Sequence, residues 1–434
     1  MQTDRAARTV DVAIIGAGAA GLATAIFTAR RAPHLRIVAL DGARKVGAKI
    51  LVSGGGRCNV TNVDVTADHY FGGSRHIIRR VLAALPVPAT VAFFAELGVP
   101  MHVEEFGKYF PDSESSRTVL AALLDECERR GVPILADHRV ETVTPRGGDF
   151  HVVARHASFD ARAVVLATGG LALPKTGSDG GGYNLATTLG HTLVPTTPAL
   201  APLVLSGHAF ADLAGIAQPV ALTVRTASAK PQSRGGPMLW THFGVSGPAA
   251  MDISRVWLRA QLEKQAPALL ANLLPDTTSD RLDAELIDAA RIDAHRSVAA
   301  WLARRIPSRV TDAILRLAGA SAATPLAHLA RETRRRLVET LTALSLPVVE
   351  SRGYTYAEAT AGGVTLTEID AATMASRKSP GLFLVGEILD VDGCIGGYNF
   401  QWAWSSARVA AGGLEKYLAA SPGSESGAAP RKVD

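Results

Sequence analysis

The sequence predicts an α/β fold in which α/β segments at the two ends of the chain are separated by a β-rich segment and then by a helical segment. Two observations lead to this prediction. An apolar run, three spaced glycines and an alanine-rich segment follow one another at residues 10–25, and a strand, a glycine loop and a helix return after residue 380. Both ends of the chain therefore have α/β character, and the segments between them differ from it.

The first pattern, VDVAIIGAGAAGLATA, contains Gly16, Gly18 and Gly21 in GxGxxG spacing. The first glycine permits a tight strand-to-helix turn, the second lets the backbone approach a pyrophosphate, and the third lets the helix pack against its strand. The next apolar run ends at Asp41, twenty residues after Gly21, where a carboxylate can accept hydrogen bonds from both ribose hydroxyls. The spacing therefore predicts a dinucleotide site at the N-terminus of a helix.

The segments that follow differ in character along the chain. Residues 79–98 and 117–131 have helical apolar spacing, and residues 133–136, 139–144, 150–155 and 163–167 are short strand candidates. Pieces such as VALTVRT then indicate antiparallel strands, and later stretches rich in Ala, Leu and Arg indicate helices. The predicted parts are α/β segments at 1–194 and 347–418, a unit of short antiparallel strands in a barrel or a sandwich at 195–253, a helical lobe at 254–346 and a disordered tail at 419–434.

Composition narrows the class of protein further. A chain of 434 residues suggests two to three domains. The three cysteines show neither CxxC nor metal-ligand spacing, so we expect no metal site and a reducing cytoplasm. No membrane span is expected, because no stretch of eighteen residues is apolar without a charge or dense glycine. The net charge of +5 is spread along the chain apart from Arg334, Arg335 and Arg336, so charge alone does not predict nucleic-acid binding.

Two further glycine loops point to a flavin. In KVGAKILVSGGGRCNVTN, three glycines precede Arg57, Cys58 and Asn59, which brings backbone N–H groups and two side-chain donors close to a ligand. In GEILDVDGCIGGYN, an acidic residue follows a strand and a GGYN turn opens a helix. A carboxylate there can contact a ribityl chain, and the positive helix end favours the reduced flavin ring. An extended FAD would explain why both chain ends carry glycine motifs.

The chain resembles the BaiN-like (YhiN-type) NAD(P)/FAD-dependent oxidoreductases over nearly its whole length. The family pattern is present in order as IIGAGAAGL, ILVSGGGRCNVTN, LATGGLALPKTGSDGGGYNLATTLGHT, THFGVSGPA, EATAGGV and GLFLVGEILDVDGCIGGYNFQWAWSS. The resemblance implies a discontinuous Rossmann-like FAD-binding domain with inserted β-barrel-like and helical domains. This architecture agrees with the composition changes described above.

The resemblance also implies which residues hold the cofactor. Asp41 would bind the adenosine ribose, although family members more often carry Glu at that position. No His or Cys stands at a recognised position for a covalent bond to the flavin, so the FAD is expected to be non-covalent. The pyrophosphate would lie on Gly16, Gly18, Ala19, Ala20 and Gly21, the adenine near Val140, the connecting turn at Thr168 and Gly169, and the flavin among Lys49, Gly55, Gly56, Arg57, Cys58, Asn59, Gly386, Glu387, Asp390, Gly397, Tyr398, Asn399 and Gln401.

The expected function is an FAD-dependent oxidoreductase that passes a hydride from NAD(P)H through flavin N5 to a conjugated or unsaturated small molecule. The chain has no second GxGxxG unit with a fitting strand, so a nicotinamide donor would dock transiently over the flavin. Two alternatives stay open. One is an oxidase or dehydrogenase reduced by its substrate, and the other is a flavin-containing protein that binds nucleic acid or a protein partner through Arg334 to Arg336.

No catalytic residue is singled out by spacing. A redox pair of Cys58 and Cys394 is conceivable because both lie in flavin-side loops, but catalytic dithiols usually show CxxC spacing. The remaining hypotheses concern single side chains. His242 in the THFGVSGP motif can face substrate or flavin, and three residues can donate a proton to a substrate carbon, namely Tyr109, Tyr354 and Glu358.

Overall fold

The computed structural model describes residues 7–420. The chain divides into two compact units, Met1–Thr196 with Gly362–Asp434, here called unit 1, and Thr197–Ala361, here called unit 2. Unit 1 is thus formed by two separate stretches of the chain, whereas unit 2 is one continuous stretch. The tail predicted to be disordered lies outside the described residues from position 421 onward.

The described residues contain twelve α-helices. They are α1 Ala19–Arg31, α2 Ala48–Val52, α3 Arg75–Leu82, α4 Val87–Glu96, α5 Ser116–Arg129, α6 Gly181–Thr188, α7 Pro248–Leu262, α8 Ser279–Ile292, α9 Val298–Leu302, α10 Ser308–Ala318, α11 Arg331–Thr342 and α12 Tyr398–Ala420.

The same residues contain twenty-one strands. They are β1 Arg8–Ile15, β2 Ile37–Leu40, β3 Thr61–Asn62, β4 Tyr70–Gly72, β5 Met101–Val103, β6 Lys108–Pro111, β7 Ile134–Leu135, β8 Val140–Arg146, β9 Asp149–Ala154, β10 Ala157–Leu166, β11 Leu193–Ala199, β12 Leu203–Leu205, β13 Ala217–Arg225, β14 Gln232–Thr241, β15 Gly244–Ser246, β16 Ala268–Asn272, β17 Leu344–Leu346, β18 Val348–Ser351, β19 Ala359–Val364, β20 Leu382–Leu384 and β21 Val391–Gly393.

Unit 1 is organised by a seven-stranded sheet of order β7-β2-β1-β10-β9-β8, with β20 also paired to β10. β1 runs parallel to β2 and β10, and β20 runs parallel to β10, so the carboxyl ends of these four strands meet at one edge. The last five residues of β1 are buried, as a strand covered on both faces requires. The edge where these strands end is where ligands bind in open α/β sheets.

Helices α1 and α12 pack against each other in unit 1. α1 buries ten of its thirteen residues, which its high content of small side chains permits. α12 buries Trp402 and Trp404 and uses their indole N–H groups to donate to the carbonyls of Gly386 (3.1 Å) and Val60 (3.0 Å). The C-terminal helix therefore fixes two loops that belong to the predicted cofactor site.

Smaller sheets in unit 1 carry the predicted flavin-side loops. β3, β6 and β5 form a three-stranded antiparallel sheet, and β21 pairs with β4. β3 follows the triple-glycine loop directly, and β21 precedes the GGYN turn. The triple-glycine loop and the GGYN turn, which are distant in sequence, are thereby both carried by small sheets of unit 1.

Unit 2 contains a second seven-stranded sheet of order β17-β16-β13-β14-β15-β12-β18, whose neighbouring strands are antiparallel. α7 packs on β13 and β14, and α8 to α11 complete the unit. Trp240 is fully buried in this core. The predicted change from α/β to antiparallel structure near residue 195 lies within two residues of the boundary of unit 2.

The predicted boundary at residues 253 and 254 differs from the observed structure. The sheet of unit 2 includes β16 and β17 from the predicted helical part and β18 from beyond residue 346. Leu269, for example, pairs with Val224 on one side and Leu346 on the other. These strands are three to five residues long, which is too short for a period of two to emerge from the surrounding helical pattern.

The region predicted as one helix over residues 79–98 is two helices, α3 and α4. Pro86 is the N-cap residue of α4 and cannot continue α3. The stretch Arg75–Glu96 is long and apolar enough to cross a membrane by length and composition, with 39% of its most apolar window buried in the structure. Such a stretch is weak grounds for a span, because buried helices of folded units have the same properties.

Candidate functional site

The turn between β1 and α1 has the close packing that GxGxxG spacing predicts. Gly16 has a φ of +100°, and a Cβ there would lie 2.4 Å from the carbonyl oxygen of Ala167. A Cβ on Gly21 would lie 1.9 Å from the carbonyl oxygen of Gly16, whereas a Cβ on Gly18 would meet nothing within 4 Å. Gly18 is the N-cap of α1, so the first turn of the helix faces open space that a pyrophosphate can fill.

Asp41 lies at the end of β2 and supports this turn. Its Oδ2 accepts a hydrogen bond from the Ala17 N–H (2.7 Å), and its Oδ1 accepts one from the Ala43 N–H (2.8 Å). Each carboxylate oxygen retains a second lone pair, so the ribose contact predicted for Asp41 is compatible with these bonds. The structure adds a role that spacing does not reveal, since Asp41 holds the glycine turn in place.

The next group of predicted residues converges on an ion pair. Lys49 Nζ in α2 lies 2.5 Å from Glu387 Oε2, and the two side chains are 25% and 17% exposed. A Cβ on Gly169, in the turn after β10, would lie 3.9 Å from the same Glu387 oxygen. A Cβ on Gly386 would lie 2.7 Å from the Cβ of Ala20 at the start of α1. Segments separated by more than three hundred residues thus meet at this ion pair.

The triple-glycine loop has left-handed backbone that glycine alone adopts without strain. Gly54, Gly55 and Gly56 have φ values of +55°, +68° and +88°. A Cβ on Gly55 would meet nothing within 4 Å. The loop therefore exposes backbone at its tip, as expected for a segment that lies against a ligand.

Arg57 follows this loop but is held by protein groups. Its Nη1 pairs with Glu104 (2.5 Å) and Glu114 (2.7 Å), and its guanidinium lies 4.0 Å from the centre of the Phe110 ring. Hydrogen bonds from Arg57 to Glu104 and then Glu114 raise the pKa of Arg57 above its usual range. Two carboxylates already neutralise Arg57, and its contact with a ligand, which would use the remaining N–H groups, stays a prediction.

Cys58 is buried and has a φ of +66°, while Cys394 is partly buried. Burial raises the pKa of the Cys58 thiol to about 12, although a hydrogen bond with Ser53 acts in the opposite direction. A thiol with this pKa is protonated at neutral pH and is a poor nucleophile. The structure does not support a dithiol that exchanges electrons with the flavin, and Cys58 packs as a small side chain beneath the loop.

The GGYN turn approaches the triple-glycine segment. Gly397 has a φ of +93°, and a Cβ there would lie 2.8 Å from Asn59 Oδ1. Asn399 closes the preceding loop, since its side chain accepts from the Gly393 N–H (2.9 Å) and donates to the Gly393 carbonyl (3.0 Å). Tyr398 is the first residue of α12, and Asp390 is nearly buried at the end of the preceding turn. These residues place the start of α12 beside Asn59.

Gln401 has a different role from the predicted one. Its Oε1 accepts from Thr61 (2.6 Å) and Thr90 (3.0 Å), and its Nε2 donates to the Leu85 carbonyl (2.6 Å) and to Ser405 (3.1 Å). The residue is 1% exposed. Because its acceptor and both donors are used inside unit 1, Gln401 has no hydrogen-bonding capacity left for a flavin.

Two buried polar atoms test whether the site fits a flavin nucleotide. Asn59 Oδ1 and Thr168 Oγ1 are shielded from solvent, and neither has a hydrogen-bond partner among residues 7–420. Buried polar atoms are nearly always hydrogen-bonded, and these two are the atoms without a partner among the predicted cofactor-binding residues, where a ligand can complete them. FAD carries hydroxyls and ring groups that both donate and accept. The residues present therefore fit this cofactor.

The structure also locates the other residues that the sequence analysis names, which are Val140 and the candidate proton donors. Val140 begins β8 and is partly buried, and Tyr109 in β6 accepts at its carbonyl from the Val60 N–H (2.9 Å). His242, Tyr354 and Glu358 belong to unit 2. The exposed ring of His242 lies 5.1 Å from that of Phe243. Whether any of these residues donates a proton stays a prediction.

Several residues of the site escape sequence reasoning. Glu104 and Glu114 lie 47 and 57 residues from their partner Arg57, so no local spacing identifies them. Asn62 ends the triple-glycine motif, but its partner Gly396 lies 334 residues away, so its role could not be read from the motif. Arg139 forms a two-point ion pair with Asp179 and its side chain lies against Gly42, next to Asp41. Its only sequence signal is its position beside Val140.

Comparison with known proteins gives three findings of sequence and fold. The profile described as "HI0933-like protein Rossmann domain" matches residues 10–413. A ribosomal RNA dihydrouridine synthase of Escherichia coli (strain K12) is 33% identical over 404 residues, which cover 92% of this chain and 97% of that protein. A 3-dehydro-bile acid delta(4,6)-reductase of Clostridium scindens is 33% identical over 403 residues, which cover 92% of this chain and 97% of that protein.

Among solved structures, a variant of the FrdA subunit of E. coli quinol fumarate reductase superposes with a TM-score of 0.52 at 17% identity. The match covers 97% of this chain and 72% of that one. At this level of identity the likeness concerns the fold. It confirms the prediction of a Rossmann-like α/β unit that carries additional antiparallel structure.

Proposed function

This chain belongs to the HI0933-like Rossmann family of flavoprotein oxidoreductases, the family that its motifs resemble, and from that premise we propose that it reduces a carbon–carbon double bond conjugated to a carbonyl group. The names of the two relatives support this reaction class. Dihydrouridine differs from uridine by two hydrogens across such a bond, and the bile-acid reductase name denotes double bonds in conjugation with a 3-keto group. The chemistry common to both names is conjugate reduction.

The orphaned pair of Asn59 Oδ1 and Thr168 Oγ1 is the observation that carries the cofactor assignment. FAD, when bound, accepts a hydride at N5 and passes it to the substrate carbon. The N-terminus of α1 and the open face of Gly18 would hold the pyrophosphate. The ion pair of Lys49 with Glu387 would hold both side chains in fixed positions in the site, since a 2.5 Å contact between partly buried groups restrains them.

NAD(P)H is the proposed electron donor. The chain carries one GxGxxG turn. Near this turn lie Asp41 and the ion pair of Arg139 with Asp179, and together these residues account for a single nucleotide site. A nicotinamide would therefore dock transiently beside the flavin without a Rossmann unit of its own. The complete reaction transfers a hydride from NAD(P)H to one substrate carbon and a proton to its neighbour, which leaves NAD(P)⁺ and the saturated bond.

The charge distribution favours a uracil of ribosomal RNA as the substrate. Residues 281–336 contain eleven arginines and six acidic residues, a surplus equal to the net charge of the whole chain. Five of these arginines are exposed and have no acidic partner within residues 7–420, namely Arg304, Arg309, Arg331, Arg335 and Arg336. Unpaired arginines on one helical segment suit phosphate groups.

This proposal takes up the nucleic-acid alternative that the sequence left open, although the net charge alone did not predict it. The mild net charge of the full chain conceals how strongly the positive surplus is concentrated in residues 281–336. The RRR segment itself is not uniform, because Arg334 is paired with Asp283 (2.8 Å) while its two neighbours are free of acidic partners among the described residues. An enone of the bile-acid type is the second candidate, since the C. scindens relative is equally similar.

The test is an anaerobic titration of the purified flavoprotein with NADPH and then NADH, followed by candidate acceptors. We expect bleaching of the visible flavin absorption by a nicotinamide, then recovery of the absorption when ribosomal RNA transcribed in vitro is added. Mass spectrometry of the digested RNA should show dihydrouridine. Recovery with a 3-keto-4,6-diene bile acid in place of RNA would favour the second candidate, and recovery with air alone would favour an oxidase.

A matched pair of variants tests the arginine surface. Changing Arg331, Arg335 and Arg336 to alanine removes unpaired charges, whereas changing Arg281, Arg291 and Arg316 removes exposed arginines that are already in ion pairs. We expect the first variant to bind RNA more weakly and with a smaller dependence on salt, because each lost phosphate contact lowers the slope of log K against log salt by about 0.7 to 0.9. Equal behaviour of both variants would contradict RNA binding through this surface.

A further inference from the structure

The loop between β5 and β6 ends in an exposed aromatic side chain. Phe106 is 63% exposed, which is unusual for a ring of this size, and it lies in a single turn of 3-10 helix, Glu105–Gly107. Its neighbours Val63 and Val103 are also about half exposed. Three exposed apolar residues thus lie at this end of the β3-β6-β5 sheet, and Val63, Val103 and Phe106 are together called the Phe106 tip here.

The backbone of the Phe106 tip is strained and firmly held. Phe106 has a φ of +61° and a ψ of +24°, a conformation that disfavours any side chain with a Cβ. A Cβ on the following Gly107 would lie 2.4 Å from Val63 Cγ2, so this position requires glycine. Strain of this kind persists where surrounding contacts enforce it, and it is concentrated at ligand-binding sites.

The same contacts connect the tip to the predicted flavin loops. The side-chain amide of Asn62 donates to the Phe106 carbonyl and to the Gly396 carbonyl, both at 3.0 Å. On the other side, Glu104 pairs with Arg57 at the end of the triple-glycine loop. The tip is therefore held between the two glycine segments that the resemblance assigns to the flavin.

A cation lies beside the exposed ring. Lys108 Nζ is 5.6 Å from the centre of the Phe106 ring, and a Cβ on Gly396 would lie 3.8 Å from Lys108 Cε. The ring thus combines an open apolar face with a nearby positive charge. That combination suits a planar conjugated ring that is attached to a phosphate.

We propose that Phe106 is a specificity-determining residue that stacks on the substrate ring whose double bond is reduced, and that Lys108 contacts the adjoining phosphate. This inference rests on the proposed function, because the ring in question is the uracil base of RNA. It accounts for three features at once, which are the exposure of the ring, the strained backbone that presents it and the clamp by Asn62. Phe106 contributes ground-state binding, so its loss should raise KM and leave kcat nearly unchanged.

Three substitutions separate the ring from the backbone that carries it. Phe106→Ala removes the ring and keeps a strained Cβ, Phe106→Gly removes both, and Phe106→Tyr keeps the ring. We expect the first two to raise KM for RNA about tenfold or more, since stacking of one base on an aromatic side chain has this magnitude, and the third to stay within about threefold. The glycine variant should melt at or above the temperature of the wild type, because glycine adopts a φ of +61° without strain.

Two controls accompany these variants. Ile292→Ala removes another exposed apolar side chain, 86% exposed on α8, and should change neither KM nor melting temperature. Reduction by NADPH in the absence of RNA should proceed at the wild-type rate in all variants. A slower reduction would assign Phe106 to the flavin or to the nicotinamide and would overturn the proposal.

Equilibrium binding keeps this test separate from that of the proposed function. Fluorescence anisotropy with a labelled, uridine-containing RNA fragment measures affinity whether or not turnover occurs. If the wild type binds RNA but reduces nothing, the proposed function fails while weaker binding by Phe106→Ala still supports the stacking contact. If Phe106→Ala binds and turns over RNA like the wild type, or if the wild type does not bind RNA, the inference is overturned.

Discussion

Replacing Asp41 by alanine tests whether this carboxylate holds the glycine turn as well as the cofactor. The change removes the acceptors of the Ala17 and Ala43 N–H groups. Ala17 is completely buried, so its unpaired N–H costs about 1 to 3 kcal/mol, whereas the partly exposed Ala43 N–H can turn to water. We therefore expect the turn to lose about 1 to 3 kcal/mol of stability even without FAD.

The assay is hydrogen exchange of the peptide that covers residues 10–25, in protein stripped of flavin and in protein saturated with FAD. Asp41→Asn keeps one acceptor oxygen, and we expect it to lose about half as much protection as the alanine variant. If Asp41 also binds the ribose, the dissociation constant for FAD should rise further, by about tenfold or more. Unchanged exchange in the flavin-free alanine variant would refute the structural role.

Three other predictions follow from packing and ionisation. Gly21→Ala should abolish flavin retention, because the new Cβ would lie 1.9 Å from the Gly16 carbonyl oxygen. In the control Gly412→Ala, the new Cβ would lie 3.9 Å from its nearest neighbour. We expect this variant to be tolerated and to stabilise α12 by up to about 1 kcal/mol, measured by urea unfolding. Burial alone would raise the pKa of Glu126, but hydrogen bonds from its arginine partners outweigh it and lower the pKa. Its stabilising contribution is therefore present above pH 4.5 and lost as pH falls through the lowered pKa, and Glu126→Gln should show a smaller loss of melting temperature between pH 5 and pH 3. Cys58 should resist iodoacetamide at pH 8 in the native flavoprotein, since burial raises its pKa to about 12, and rapid labelling there would contradict its place in the core.

Local patterns predicted the parts of the site whose chemistry resides in the backbone. The GxGxxG turn, the triple glycine and the GGYN turn are recognisable because close approach and positive φ require glycine at particular spacings, and Gly16, Gly55 and Gly397 show these properties. Asp41 was identified from its distance to the turn. Its bond to the Ala17 N–H could not be predicted, since spacing says which side chains are near and not which donors they satisfy.

Side chains that pair across long sequence separations account for most of what the patterns did not predict. Arg57 suggested a ligand contact, but its charge is neutralised by Glu104 and Glu114, which lie 47 and 57 residues away. Gln401 stands within a recognised motif, yet its hydrogen bonds go to Thr61 and to other groups of the core. In unit 2, the short strand β16 was concealed by helical sequence on both sides, because four or five residues carry too little periodicity.

The two tryptophans of α12 have a consequence for how the cofactor is acquired. Their indole groups hold the carbonyls of Gly386 and Val60, and the second of these contacts joins positions 344 residues apart. The polypeptide emerges from the ribosome N-terminus first, so the glycine turn at residues 16–21 is synthesised long before the helix that completes the flavin side. The support of these two loops is therefore complete only after α12 has been synthesised, and a nascent chain that lacks α12 has a triple-glycine segment without the Val60 contact. We therefore expect the complete cofactor site to form only in the full-length chain.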